Sequence, residues 1–593
     1  MSTSRFMQTR DCLPALSIRA ITLVLTLIVG VTSTSAGTSE STEQTAPTVA
    51  QAQSSPNNQA SPNETGDISE RFEFPNGIQF APCAENPQLE CGTLNVPVDY
   101  HNPRGETFGM AVIRAKATNP AKRIGVLFSN PGGPGSSGVG FVLGGVRAPA
   151  FIRLRERFDI IGFDVRGSHR SRPVRCQVEP AGDPTNLDDA ALIGFFDDFG
   201  RRVAKACLEQ NGPFILSMST NNIARDMDVL RRALGERQIT YVGFSFGTEL
   251  GAVYASIFPQ RVRAALLDSG VAPEFRDHRV EFRSEQAASF ESVFHHLDQL
   301  CRKDTTCRLR DTGVVTAFDE VVTRLKAEPV TSPGGLVLDS GHVANIIAPV
   351  LSVESLWPLI IDALADARAG NYTSFFQFLP SASGVPFLNA STFGAFAAIQ
   401  CNDFGTRRSA AEYLPVDEVV GALYPRIDGR FRVAAATAVC AAWPKVDVPI
   451  IRNVKNRVAN PMMLMGNDFD PNTPLSWTRS LARALGMERS LVRYQGGGHL
   501  AYALLGNACI DRVGDAYLFD LTIPAEGFSC PAQPIRFNPP AAPADANSKQ
   551  KMSDLRSNQP CVPPPDFDPT SRVERVPTWR SAVNADRPPI DCQ

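Results

Sequence analysis

The feature that most constrains this chain is the pentapeptide Gly-Phe-Ser-Phe-Gly at residues 243–247. The apolar run 239–242 before it is typical of a short buried strand, and the residues after it have helical spacing. A strand that turns directly into a helix strains the backbone of the turn residue, and flanking glycines leave the space that this turn needs. The pattern therefore predicts that Ser245 is a nucleophile at a helix N-terminus, where the N–H of Phe246 can stabilise an oxyanion.

A second glycine-rich segment, Asn-Pro-Gly-Gly-Pro-Gly-Ser-Ser-Gly at residues 130–138, follows the apolar run 124–128. Such loops can cradle phosphates, but this one lacks the Gly-Lys-Ser/Thr ending of a P-loop. Ordering so many glycines costs conformational entropy, which argues against a plain surface turn. We therefore expect the loop to face Ser245 and to supply the second oxyanion N–H, from Gly133 or its neighbour Gly132.

Strands and helices alternate along the first part of the chain. Apolar runs at 158–164 and 262–267 predict strands, and residues 223–234 between them predict an amphipathic helix. This alternation is typical of an α/β fold with a mostly parallel central sheet and helices on both faces.

Helical periodicity with little strand signal dominates residues 274–455, and strand character returns at 458–465. We predict a mainly helical cap domain over 274–455, inserted between a first core part, residues 71–273, and a C-terminal core part, residues 456–530. The cap helices are predicted at 282–300, 314–325, 355–369 and 391–399.

A nucleophilic serine needs a base and an acid, which in α/β-hydrolases follow it in the order acid, then histidine. Of the seven histidines, His499 alone lies beyond residue 342, on a glycine-rich loop after an apolar strand at 491–494. The acid is expected after the preceding strand, where Asp468 and Asp470 both occur, and their spacing favours neither.

The N-terminus has the pattern of an export signal. Three arginines precede an apolar run at 20–31 that is too short to span a bilayer, and small residues follow at 34–37. We predict a signal peptide over 1–36, a disordered linker or pro-segment over 37–70, and a mature protein that is secreted or periplasmic, without stable membrane insertion.

Cysteine usage agrees with an oxidising compartment. Of thirteen cysteines, Cys12 lies in the predicted signal, which leaves an even number in the mature chain. Paired Cys-x-x-Cys spacing and accompanying histidines are missing, so the pattern favours disulfides over a metal cluster, and no metal or organic cofactor is expected. The spacing predicts the local pairs Cys83–Cys91, Cys176–Cys207, Cys301–Cys307, Cys401–Cys440, Cys509–Cys530 and, in a Pro-rich tail over 531–593, Cys561–Cys592.

The net charge of −3 provides no basic field for nucleic acid, so nucleic-acid binding is not expected.

Several motifs occur together in one order: the loop at 130–135, Asp-Val-Arg-Gly at 164–167, the pentapeptide at 243–247, Asp-Pro-Asn-Thr-Pro at 470–474, and Gly-His at 498–499. This set resembles the secreted bacterial tripeptidyl aminopeptidases, relatives of the prolyl aminopeptidases within the α/β-hydrolase fold, and the resemblance covers about residues 75–530. It implies that the acid is Asp470, because the family's acid precedes Pro-x-Thr-Pro.

The chain departs from the family pattern at three places. Asp470 lies one residue further from Gly466 than is usual, Phe246 replaces a common Tyr or Trp, and His169 stands where Gly is usual. None of these changes removes a catalytic group.

The resemblance implies a serine exopeptidase whose partners are peptide substrates, which it cuts from a free N-terminus beneath a helical cap. Binding an α-ammonium group calls for buried carboxylates, and the candidates are Asp403, which the resemblance places in the cap, and Glu249, just past the nucleophile. A secreted carboxylesterase or other small-molecule hydrolase is the alternative, because the same catalytic groups serve many acyl substrates.

Overall fold

The fold is described from a computed structural model of the chain. The predicted signal peptide, most of the predicted linker and the Cys561–Cys592 pair lie outside the described residues. The described ranges are 67–73, 77–178, 189–275, 278–382, 391–427, 438–446, 450–451, 453–454 and 457–537.

A ten-stranded mixed sheet forms the centre of the molecule, with the strand order β1-β2-β3-β5-β4-β6-β7-β10-β11-β12. The pairs from β1 to β5 on one side are antiparallel, and the pairs from β5 to β12 are parallel. The strands are β1 Ala81–Pro82, β2 Glu90–Pro97, β3 Thr107–Ala115, β4 Gly125–Asn130, β5 Phe158–Phe163, β6 Ile239–Phe244, β7 Val262–Asp268, β8 Val330–Thr331, β9 Val337–Leu338, β10 Met463–Phe469, β11 Leu491–Gly497 and β12 Ser529–Cys530.

The complete burial of the central strands explains why the sequence pattern predicted them well. Every residue of β4 and β6 is buried, as expected for parallel strands that helices cover on both faces. The mostly parallel α/β prediction is therefore confirmed, and the carboxyl ends of β6, β7, β10 and β11 meet at one edge of the sheet.

Helices cover both faces of the sheet. One face packs against residues such as Ile223 and Leu250, and the other against Val142, Phe151 and Tyr517. The helices are α1 Gly138–Gly145, α2 Pro149–Arg155, α3 Asp189–Asn211, α4 Thr220–Ala233, α5 Phe246–Ile257, α6 His278–Lys303, α7 Val314–Ala327, α8 Ser340–Leu351, α9 Trp357–Arg368, α10 Thr373–Ala382, α11 Ser391–Asp403, α12 Ala410–Leu423, α13 Leu475–Leu485 and α14 Ala508–Asp520. No helix within the described ranges is long and apolar enough to cross a membrane.

Helices α6 to α12 lie between β7 and β10 along the chain, where the sequence predicted an inserted cap. Side chains from five of these helices, including Phe294, Phe318, Ile347, Trp357 and Phe375, pack into one buried cluster. The four helices predicted there exist, as α6, α7, α9 and α11. The sequence patterns did not predict α8, α10, α12 or the short β8–β9 hairpin, because these elements are short or contain proline.

Five of the six predicted disulfides are confirmed. The bonds join Cys83–Cys91, Cys176–Cys207, Cys301–Cys307, Cys401–Cys440 and Cys509–Cys530.

The two charged side chains of the segment Asp164-Val165-Arg166-Gly167 have separate partners. Arg166 and Asp226 of α4 form a fully buried bidentate pair, with N···O distances of 2.6 and 2.8 Å, and Tyr100 donates a further hydrogen bond to Asp226. Asp164 instead accepts hydrogen bonds from Ser137 Oγ and the backbone N–H of Val139.

This buried pair predicts a large effect of a small substitution. Asp226→Asn keeps the shape of the side chain but leaves the Arg166 charge uncompensated, so we expect a loss of about 3–5 kcal/mol in the free energy of unfolding. The exposed Asp198, which pairs with Arg201 and Arg202, is the control, and Asp198→Asn should cost less than about 1 kcal/mol. Urea unfolding followed by tryptophan fluorescence measures both, and equal losses would contradict the prediction.

Candidate active site

Ser245 lies at the abrupt turn between β6 and α5. Its backbone has φ 55° and ψ −123°, a conformation that non-glycine residues rarely adopt. The Ser245 N–H donates to the carbonyl of Asp268 at 3.0 Å, and both the N–H and the hydroxyl of Thr248 donate to the Ser245 carbonyl. The strained turn is thus held by hydrogen bonds on both sides.

Three glycines allow the backbone segments around this turn to approach closely. A Cβ on Gly243 would lie 2.3 Å from the Gly247 carbonyl oxygen, and one on Gly247 would lie 2.7 Å from the Asn130 carbonyl oxygen. A Cβ on Gly132 would lie 2.5 Å from the carbonyl oxygen of Phe244. The glycine-rich loop therefore packs directly against the turn, as the sequence predicted.

His499 and Asp470 form a buried pair. The Nδ1 atom of His499 lies 3.0 Å from each carboxylate oxygen of Asp470, and the two side chains are 8% and 0% exposed. Asp470 also accepts hydrogen bonds from the N–H of Asn472 and from the N–H and hydroxyl of Thr473. These bonds fix the carboxylate in an orientation that holds the imidazole.

Asp468 lies two residues earlier and has a different partner. Its carboxylate forms a bidentate pair with Arg493, with N···O distances of 2.7 and 3.1 Å. Of the two carboxylates that spacing could not separate, Asp470 is therefore the one that contacts His499.

Ser245 and His499 line one cavity of about 200 Å³. In the described part of the chain the Ser245 hydroxyl forms no hydrogen bond with His499. Hydrogen bonds between catalytic groups are often long or poorly aligned in enzymes and shorten in the complex with substrate. The other lining residues come from the glycine-rich loop, from α5, from the cap and from the loops after β7, β10 and β11: Pro131, Gly133, Pro134, Ser136, Phe246, Glu249, Val271, Phe282, Arg283, Gln286, Phe396, Gln400, Asn472, Thr473 and Leu500.

The cavity distinguishes the two candidate donors of the glycine-rich loop. The N–H of Gly132 donates to the Asn130 side chain at 3.0 Å and is thus already used. Gly133 and Phe246 line the cavity, and among the described residues neither backbone N–H has an acceptor. This arrangement leaves Gly133 and Phe246 as the available pair of oxyanion donors.

The two candidate carboxylates for ammonium binding differ in position. Glu249 lines the cavity from the first turn of α5. Asp403 does not line it: its buried carboxylate accepts hydrogen bonds from the N–H and hydroxyl of Thr220 at the start of α4. The role of Asp403 in ammonium binding therefore stays a prediction, and the contacts described here give its carboxylate a structural partner at the start of α4.

Comparison with known proteins agrees with this geometry. The family model described as alpha/beta hydrolase fold matches residues 125–344, and the one described as TAP-like protein matches residues 429–530. "Serine protease Hip1" of Mycobacterium tuberculosis is 31% identical over 486 residues, which cover 76% of this chain and 91% of that protein. The chain belongs to the TAP-like serine peptidase family.

Two further relatives of comparable identity carry different functional names. "Tripeptidyl aminopeptidase" of Streptomyces lividans is 28% identical, over 77% of this chain and 86% of its own length. "Carboxylesterase B" of M. tuberculosis is 30% identical, over 76% of this chain and 88% of its own length. The TAP-like protein is thus a serine hydrolase, and its described residues contain no group of three or more His, Cys, Asp or Glu side chains that could hold a metal ion.

Sequence reasoning missed Asp268, which connects the nucleophile turn of this TAP-like peptidase to its histidine loop. The backbone carbonyl of Asp268 accepts from Ser245, and its fully buried carboxylate accepts from the N–H groups of Ala501 and Tyr502 at 2.8 and 2.7 Å. The sequence signal that could have identified it is an acidic residue at the carboxyl end of β7, the strand next to the strand that precedes Ser245.

Sequence reasoning also missed a cap segment that holds the histidine loop. The carbonyl of Ser352 accepts from the His499 N–H at 2.7 Å, and Glu354 accepts from the Gly497 N–H and the Tyr494 hydroxyl, each at 2.7 Å. Burial raises the pKa of Glu354 above its usual value, although these two donors act in the opposite direction. No local pattern in the cap sequence marks these contacts.

The buried Asp268 predicts a pH-dependent difference in stability. Burial raises its pKa to about 6, although the N–H groups of Ala501 and Tyr502 act in the opposite direction. The folded state therefore binds the proton of this carboxyl group more tightly than the unfolded chain, in which an aspartate has a pKa of about 3.9. As the pH rises from about 4 to about 6, the contribution of Asp268 to the free energy of unfolding falls by about 3 kcal/mol.

Asp268→Asn retains an acceptor for both N–H groups but cannot ionise. The difference in free energy of unfolding, variant minus wild type, should increase by about 3 kcal/mol between about pH 4 and pH 6.5. Urea unfolding of both proteins across this range measures the difference, and a difference that does not change with pH would contradict the assignment.

Proposed function

We propose that this serine hydrolase is an exported exopeptidase that releases short peptides or aminoacyl units from the free N-terminus of peptide substrates. The proposal rests above all on one observation: the strained Ser245 and His499, whose ring is paired with the buried Asp470, line a single cavity that side chains of the cap helices also line. Covering by a cap favours a chain end over the middle of a long chain.

In the proposed reaction, the Ser245 hydroxyl attacks the scissile carbonyl carbon and His499 Nε2 accepts its proton. Asp470 holds the other ring nitrogen, Nδ1, and stabilises the imidazolium that forms. The N–H groups of Phe246 and Gly133 stabilise the negative oxygen of the tetrahedral intermediate. The imidazolium then protonates the leaving amine, and water hydrolyses the acyl-enzyme through the same groups in reverse roles.

Recognition of the substrate N-terminus is assigned to Glu249. Its carboxylate lines the cavity close in sequence to the nucleophile, so an α-ammonium bound there would lie near the scissile bond. A charge-assisted hydrogen bond between ammonium and carboxylate has the strength to select a free N-terminus. The relative named tripeptidyl aminopeptidase supports this reading.

Esterase activity is the second candidate function, because a relative of similar identity is named carboxylesterase B. The two functions share the proposed catalytic groups and differ in whether a free amine is required. Export is supported by the five disulfides, which form and persist in oxidising compartments.

The catalytic assignment predicts a sharp contrast between neighbouring aspartates. Ser245→Ala should reduce kcat on a tripeptide p-nitroanilide by about 10³- to 10⁶-fold. Asp470→Asn should reduce it by about 10⁴-fold, because the imidazole loses its orienting partner. Asp468→Asn removes a carboxylate two residues away and should change kcat by less than about fivefold, since it breaks only a partly exposed ion pair. Similar losses for both aspartate variants would refute the assignment of Asp470.

The exopeptidase assignment predicts dependence on a free N-terminus. The wild type should cleave the free tripeptide p-nitroanilide and not its N-acetylated form. Glu249→Gln should lower kcat/KM for the free form by about 10- to 100-fold, the value of a charge-assisted hydrogen bond. Asp403→Asn, at the carboxylate that caps α4, is the control and should leave this selectivity unchanged. Equal cleavage of both forms by the wild type, or activity on simple esters alone, would instead establish a general hydrolase.

A further inference from the structure

The catalytic cavity is lined by one carboxylate and one guanidinium, Glu249 and Arg283. They lie on different elements, Glu249 on α5 and Arg283 near the start of cap helix α6. No ion pair within 4 Å joins the two side chains. The charges therefore do not neutralise each other directly, and the mechanism proposed above uses only the first.

Arg283 differs in its partners from three other buried or half-buried arginines, Arg166, Arg231 and Arg407. Arg166 and Arg231 are paired with carboxylates, and Arg407 donates to several backbone carbonyls. Arg283 donates to a single neutral acceptor, Gln286 Oε1, at 2.7 Å. In the part of the chain that the structure describes, no carboxylate lies within 4 Å of its guanidinium, which leaves most of its five N–H donors unused.

The guanidinium of Arg283 is a charged hydrogen-bond donor at the wall of the cavity. Its guanidinium lies 5.1 Å from the centre of the Phe282 ring, which also lines the cavity. Burial lowers the pKa of Arg283 to about 10, so the side chain stays cationic at neutral pH while carrying an unfavourable desolvation cost. An anion that enters the cavity would offset that cost.

The position of Arg283 is fixed relative to the catalytic groups. Gln286, which accepts from Arg283, donates through Nε2 to the carbonyl of Asn472 at 2.8 Å. On the same helix, Ser289 donates to the carbonyl of Asp470 at 2.6 Å. The helix that carries the guanidinium is thus bonded directly to the loop that carries the proposed catalytic acid.

We propose that Arg283 binds a carboxylate of the peptide substrate. The planar guanidinium offers two parallel N–H donors that match a carboxylate, and with Glu249 it gives the cavity one site for each charge of a short peptide. The carboxylate has two possible sources: the C-terminus of a short peptide or an acidic side chain near the scissile bond. This inference rests on the proposed peptidase function and specifies its substrate class.

The test measures kcat and KM for matched substrate pairs on the full chain. One pair is tetra-alanine with a free C-terminal carboxylate and its C-terminal amide. Three further pairs are tripeptide p-nitroanilides that carry Glu or Gln at the first, second or third position. Each pair is assayed with the wild type, with Arg283→Gln, with Arg283→Lys, and with Arg302→Gln as a control on the exposed far end of α6.

We expect the wild type to favour the carboxylate-bearing member of at least one pair by about tenfold or more in kcat/KM, mainly through KM. Arg283→Gln should abolish that preference, because kcat/KM falls further for the carboxylate-bearing member than for the neutral one. Arg283→Lys should retain part of the preference, and Arg302→Gln should retain all of it. The pair that shows the preference identifies the source of the carboxylate.

Two outcomes would overturn the inference alone: a wild type that cleaves both members of every pair equally, or a preference that persists in Arg283→Gln. A wild type that cleaves no peptide while hydrolysing simple esters would overturn the proposed function, and this inference with it.

Discussion

The strained backbone of Ser245 is the constraint on which the rest of the site depends. A positive φ at a serine is unfavourable, and it persists here because β6, α5 and the glycine-rich loop pack around it with no space for extra side-chain atoms. The Ser245 N–H is also bonded to Asp268, whose carboxylate holds the histidine loop. One buried residue thus fixes the position of the nucleophile turn relative to the base, and the site is pre-organised by the sheet and not by flexible loops.

The cap belongs to the catalytic site as well as covering it. Ser352 and Glu354 bond the backbone of the histidine loop, and a Cβ on Gly497 would lie 2.2 Å from the Trp357 ring, so the loop packs tightly against the start of α9. Gln286 and Ser289 of α6 bond the loop that carries Asp470. A displacement of the cap would therefore disturb both the acid and the base. This coupling suits an enzyme that must enclose a short substrate before it reacts.

The core and the residues of the proposed triad could be predicted from sequence because their signals are local. Buried parallel strands are apolar runs, and the ends of adjacent parallel strands meet at one edge, so Ser245 and His499 could be placed together without tertiary information. The disulfides were predictable because their partners are close in sequence. The contact of Asp403 with Thr220, 183 residues away, could not be predicted, because the partners of a buried carboxylate are set by tertiary packing. Arg283 and Glu354 were missed for the same reason, since helical periodicity shows that a cap helix exists but not which turn faces the cavity.

The charges in the cavity bear on which acyl substrate the enzyme serves. The Ser-His-Asp constellation by itself suits esters and amides equally, because it acts on the carbonyl group that both share. A neutral ester gains nothing from the Arg283 guanidinium that lines the site, while this group carries a desolvation cost in the free enzyme. A short peptide with a carboxylate would offset that cost at Arg283. With Glu249 and Arg283 in the roles proposed above, the cavity would suit a charged peptide better than an apolar ester, and the separation of the two side chains would limit how far apart the two charges of a good substrate can lie.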